Sequence, residues 1–125
     1  MMRDQSLWFW HVAAGVAILL LAGLHMGIMH LDVILGIGNA AGGHPIDWAN
    51  VVARGKSVAF LLSYVLLLGA ALFHGLYGLR NILFELTAAR GLRAACNVIL
   101  ILLGLALFIL GTWAAVAGRQ MALLA

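Results

Sequence analysis

A chain of 125 residues with 66% hydrophobic and 9% charged residues has room for one domain, and that domain cannot be water-soluble, because so much apolar surface demands a bilayer. The formal charge of +3 comes from seven Lys and Arg at the ends of apolar runs, a pattern suited to lipid headgroups that gives nucleic-acid binding no support. The lone Cys96 excludes an internal disulfide, and without a C-x-x-C pair the chain is not expected to hold an iron–sulfur cluster or structural zinc of its own.

The amino terminus, MMRDQSLWFWH, has no short apolar region ending in an A-x-A site, so the first helix is expected to be retained. Three apolar runs follow, at about residues 6–35, 55–86 and 91–118. Each exceeds the roughly 20 residues needed to cross a hydrocarbon core about 30 Å thick. Period-2 alternation is absent, so backbone satisfaction in lipid leaves helices. The expected fold is an all-α membrane protein of three transmembrane helices in a single domain. Between the first two runs, GIGNAAGGHPIDWANVVARGK reads as an external loop, with Pro45-Ile46-Asp47-Trp48 a helix start or interfacial turn. The short connection Thr87 to Arg90 predicts that helices two and three are antiparallel neighbours. Arg3, Arg80, Arg90 and Arg93 fall on the side of the amino terminus, against Arg54, Lys56 and Arg119 opposite, which favours an inside amino terminus. Trp8, Trp10, Trp48 and Trp113 fit interfacial belts.

The chemistry concentrates in FHGLYGLRNILFEL, residues 73–86. An imidazole in hydrocarbon is costly unless paired or bound, so His74 is a functional hypothesis by default. Histidine is also a common axial ligand of haem iron. Gly75 and Gly78 leave room for a flat macrocycle, and Arg80 at the interface either neutralises propionates or snorkels to headgroups. His25, between Gly23 and Gly27, lies late in the first run; it is a second ligand or part of a Gly-x-x-x-Gly packing motif. Counting 1.5 Å per residue puts His25 about 27 Å into the first helix and His74 roughly 8–9 Å from the same face, on the order of 18 Å apart. One haem therefore cannot take both from one chain. Against ligation stands the reading of His74 as a packing histidine hydrogen-bonded to a neighbouring helix. His11 lies at the depth of His74 and is either an interfacial histidine or one that supports a ligand or quinone site. His30 and His44 fall at the far face with Asp32 and Asp47, where loop capping outweighs proton relay. Glu85 has Arg90 and Arg93 as expected partners.

His74, Gly78 and Arg80 form a His-x-x-x-Gly-x-Arg pattern that resembles the second membrane helix of the anchor subunits of succinate dehydrogenase and fumarate reductase, with Glu85 at the place of that family's acid. Leu86 stands where the family has a tyrosine, so no quinone-binding tyrosine is carried over. LHMGIMHLDVILG, residues 24–36, resembles the first helix of the di-haem anchors, with His25 matching the ligand of the distal haem. The likeness covers the front half of a five-helix anchor whose ligands lie on its first, second, fourth and fifth helices. It implies one or two b-type haems with His74 and His25 as axial ligands and Arg80 at the cofactor, and quinone as substrate. It further implies a second membrane anchor completing a helical bundle and the opposing ligands, and a flavoprotein and an iron–sulfur subunit docked on the inside of a bacterial or archaeal cell membrane. The expected function is electron transfer between the iron–sulfur subunit and quinone in a succinate:quinone or quinol:fumarate oxidoreductase, with the dicarboxylate chemistry left to the flavoprotein. Two rivals stand beside it: a haem-free structural anchor, and a small proton- or metal-handling membrane protein using His11, His25, His30 and His44.

Overall fold

The computed structural model describes residues 2–30 and 42–125. Asp32 and the last residues of the first apolar run lie outside them. Among the described residues four helices follow in order, α1 (Met2–His30), α2 (Trp48–Lys56), α3 (Val58–Leu86) and α4 (Arg90–Leu124). Three of these, over Gln5–His30, Val58–Leu86 and Arg90–Leu124, are long and apolar enough to cross a membrane, and the chain is an integral membrane protein. At 29 residues α3 is about 43 Å long, and at 35 residues α4 is about 52 Å, so both outrun the hydrocarbon core and project their ends.

The second crossing begins at Val58, because Ser57 is extended (φ −79°, ψ 127°) and divides Gly55 and its neighbours, which belong to α2, from α3. Helix α2 starts at Trp48 after Asp47, where Pro45-Ile46-Asp47-Trp48 predicts a start. The loop before it is tied down locally. Asp47 Oδ2 accepts the backbone N–H of His44 at 2.8 Å, the capping role expected of this acid. The Asn50 amide donates to the carbonyls of Gly42 and His44 at 2.8 and 3.0 Å. Gly43 has φ +76°, and a Cβ there would stand 2.6 Å from Asp47 Oδ2, so the turn admits only glycine. The buried Arg54 guanidinium donates to the Pro45 carbonyl.

The third crossing continues past Gly118 to Leu124, since its last turns support α2. Ala122 is buried there, and a Cβ on Gly55 would come within 2.9 Å of its methyl. Helix α3 runs between α1 and α4 and packs on both, whereas the backbones of α1 and α4 do not approach closely among the described residues, although Leu7 of α1 reaches the groove between α3 and α4. The long helices thus form an open row rather than a closed bundle. Small residues seat large ones across α3 and α4, with Gly111 against Leu68, Gly104 against Leu76 and Gly69 against Phe108. Among the described residues Ala122 is the only hydrophobic side chain of the core that is buried, while Leu19, Leu20 and Ile109 are 73%, 66% and 64% exposed. In a bilayer that surface meets acyl chains or other helices, with no penalty of the kind water would exact. The exposed Trp8 and Trp10 at one end and Trp48 and Trp113 toward the other match interfacial anchors.

Candidate functional site

The α1–α3 contact is organised by two histidines. Helices α1 and α3 each carry a His-x-x-x-Gly segment, His11 to Gly15 and His74 to Gly78, and they meet reciprocally. A Cβ on Gly15 would lie 3.0 Å from His74 Cε1 and 3.2 Å from its Nδ1, and a Cβ on Gly78 would lie 3.5 Å from His11 Cε1. Each ring occupies the space left by the other helix's glycine. The rings consequently stack, with centroids 4.1 Å apart and planes 6° from parallel. Tyr77 flanks the pair, 5.2 Å from His11, and stacks in turn on Phe73 at 5.7 Å.

The polar atoms of the stack are unevenly satisfied. His74 Nδ1 is 3.0 Å from the His11 carbonyl, which can only accept, so Nδ1 carries the proton and Nε2 is left as the lone-pair nitrogen. This is how metal-ligating histidines are oriented: one ring nitrogen is anchored to a carbonyl while the other faces the metal. His11 Nδ1 is buried without a hydrogen-bond partner among the described residues.

These features bear on whether a haem fits. His74 has the tautomer an axial ligand requires, and Gly15 leaves space against which any other residue would press. His11 does not complete the pair, because face-to-face stacking sends the nitrogens of both rings sideways and leaves no place for one iron between them. The residues present fit one axial ligand at this depth.

His25 lies elsewhere. Its ring meets Tyr64 of α3 edge-on, with centroids 6.0 Å apart. Fourteen residues separate it from His11 along α1, a rise of about 21 Å. His25 and His74 therefore occupy different depths. A Cβ on Gly23 or Gly27 would meet nothing within 4 Å, so the Gly-x-x-x-Gly pair beside His25 does not serve packing against the described helices of this chain. Two positions before and after His25, both glycines lie on the face of α1 turned away from its imidazole.

Arg80 is not brought to His74. Six residues further along α3 it points toward α4, where Nε donates to Asn97 Oδ1 at 2.9 Å and Nη1 to Asn81 Oδ1 at 3.1 Å. Its guanidinium lies over Phe84 at 4.2 Å from the ring centroid. Arg93, expected beside Glu85, instead donates Nε to the Thr87 carbonyl at 2.7 Å and Nη2 to the Phe84 carbonyl at 2.6 Å, closing the end of α3. His30 ends α1 exposed, and His44 is exposed in the loop. No group of three or more His, Cys, Asp or Glu converges among the described residues, so these histidines do not gather as the metal-handling reading requires. Asn97 and the His11–Gly15 half of the reciprocal contact escape a reading of the sequence alone. The repeated His-x-x-x-Gly spacing is the signal that would find the second. Comparison with protein-family models, with curated proteins and with solved structures returned no match.

Proposed function

We propose that this chain is a haem b-binding membrane anchor of a succinate:quinone or quinol:fumarate oxidoreductase, carrying electrons between an iron–sulfur subunit and quinone. The observation that carries the reading is the His74 imidazole, held by its Nδ1 on the His11 carbonyl with Nε2 left to ligate. The resemblance of residues 73–86 and 24–36 to di-haem anchors supports the same assignment. His74 is the ligand at the depth of the amino terminus and His25 the ligand about 21 Å away along α1. Bound haem supplies one-electron chemistry at a potential set by its ligands, burial and neighbouring charge. The chain's own residues do the holding. The His11 carbonyl fixes the ring orientation of His74, Gly15 gives that ring its place, and the surrounding apolar helices exclude water. The opposing ligands come from a second anchor subunit, and the amino terminus faces the inside of a bacterial or archaeal cell membrane, where the flavoprotein and iron–sulfur subunits dock.

A haem-free structural anchor is the second reading. The same hydrogen bond and stack already give His74 a complete role as a packing residue between α1 and α3. A dithionite-reduced minus oxidised spectrum of the purified complex, with haem counted per copy of this chain, separates the two. Two haems, one lost in His74→Ala and the other in His25→Ala, are expected. One haem lost only in His74→Ala reduces His25 to a packing residue. No haem in the wild-type complex leaves the structural anchor.

A further inference from the structure

A second feature adjoins the histidine pair on the side of Phe73 and Tyr77. Between α3 and α4 runs a groove of about 770 Å³, walled by Leu72, Leu76, Ile101 and Leu105 and floored where Gly69 and Gly104 bring the helices close. Its volume falls in the range of about 300–1,000 Å³ typical of small-molecule sites. Arg80 and Asn97 stand at one end, and Gly69 and Phe108 at the other. Each helix spans this length with twelve residues, 69–80 and 97–108, about 16 Å of rise. That is about half of a hydrocarbon core roughly 30 Å thick, the depth of one leaflet.

The groove is apolar along its length and cationic at its end. No histidine lines it, but Leu7 of α1 and Phe73 and Tyr77 of α3 do, so it adjoins the His11–His74 contact across Tyr77. Among the described residues the Arg80 guanidinium is held by two neutral amide oxygens, those of Asn97 and Asn81, and by the faces of Phe84 and Tyr77, with no carboxylate. Its charge is oriented but not neutralised. Arg80 lies six residues before the end of α3, about 9 Å, which puts it at headgroup level. An occupant complementary to this site has one anionic oxygen head and an apolar tail one leaflet long.

We infer that the α3–α4 groove holds one anionic phospholipid, its phosphate on Arg80 beside Asn97 and an acyl chain along the channel over Gly69 and Gly104. The lipid fills the open side of a row of helices whose own side chains do not close it. This assignment stands whether or not the chain carries haem, and it gives Arg80 a partner other than a propionate.

The test is lipid retention. The complex is purified in mild detergent with extensive washing, and retained phospholipid is counted per chain by phosphorus assay and identified by mass spectrometry. The wild type is expected to keep one anionic phospholipid. Arg80→Gln is expected to reduce it at least tenfold, whereas Arg90→Gln, at the same membrane face but outside the groove, leaves it unchanged. Ile101→Trp fills the channel from an exposed position and is expected to expel the lipid with the arginine intact. Equal retention in Arg80→Gln and Arg90→Gln overturns the proposal in favour of ordinary boundary lipid. Recovery of a quinone instead of a phospholipid, displaced by the same two variants, overturns it as well. Protection of Arg80 by inorganic phosphate alone, undiminished in Ile101→Trp, reduces the site to a headgroup contact and rejects the seated chain.

Discussion

Gly15 offers the sharpest perturbation of the histidine pair. A methyl group at this position would stand 3.0 Å from His74 Cε1 and 3.2 Å from Nδ1, closer than carbon and nitrogen normally approach a Cβ. The ring must retreat by a few tenths of an ångström, and it has little freedom to do so. Its Nδ1 is bonded to the His11 carbonyl at 3.0 Å, and the His11 ring lies 4.1 Å away. Overpacking of this kind costs about 1–3 kcal/mol, equivalent to a roughly 5- to 150-fold change in an equilibrium constant. Gly75→Ala is the matched control. Gly75 is next to His74 in sequence, yet a Cβ there meets nothing within 4 Å. That substitution should be neutral or gain about 0.5–1 kcal/mol from helix propensity. On the proposed function, haem per chain, the position of the reduced absorbance band and thermal unfolding in detergent should all change in Gly15→Ala and in none of the adverse directions in Gly75→Ala. If the two variants behave alike in all three measurements, the reciprocal seating of His74 on Gly15 is wrong. If only unfolding responds, the seating is right and His74 is a packing residue.

The remaining predictions concern the scaffold. Gly111→Ala places a methyl 2.5 Å from Leu68 Cδ2 and Gly104→Ala one 2.8 Å from Leu76 Cδ1, so each should destabilise the α3–α4 pair by about 1–3 kcal/mol in detergent unfolding, while Gly118→Ala, with open space, should not. Asn50→Ala removes the amide that donates to Gly42 and His44 and should cost about 1–3 kcal/mol locally, visible as faster proteolysis between residues 42 and 56 with the transmembrane helices still protected. Arg93→Ala exposes the carbonyls of Phe84 and Thr87, and amide exchange should rise in the last turn of α3 while exchange in α1 stays unchanged.

The three crossings are legible in the sequence because each run is far more apolar than any soluble element. The depth of His74, the shared depth of His11 and the separate depth of His25 follow from counting residues along antiparallel helices. What hydropathy misses is structure outside the hydrocarbon. Arg54 and Lys56 mark where the membrane begins, but not that the chain before Ser57 is itself a helix, which depends on α2 docking against Ala122 at the far end of the chain. Arg119 marks where the third run turns polar, although the helix continues through it to Leu124. Arg80 shows the limit for the site. Its distance from His74 in sequence suggests a shared ligand, but six residues at 100° per residue turn it about 120° away, toward α4. Pairing with Asn97 depends on the register between helices, which neither run contains alone.

On the proposed function, the open row and an incomplete ligand set have one physical origin. With α3 between α1 and α4, and the backbones of those two apart, each long helix leaves large apolar side chains exposed among the described residues. His74 and His11 are stacked within the row, so their nitrogens cannot face one another across a metal, and Nε2 of His74 can be met only by a group approaching from beside the α1–α3 contact. His25 likewise meets a single aromatic neighbour on α3, Tyr64, edge-on. On the proposed function, a second anchor subunit covering that side would supply both missing ligands and the missing wall of the bundle in a single docking. The α3–α4 groove is lined with apolar side chains, Leu7 of α1 among them, and ends in a cation, which is why a lipid rather than a helix is assigned to it.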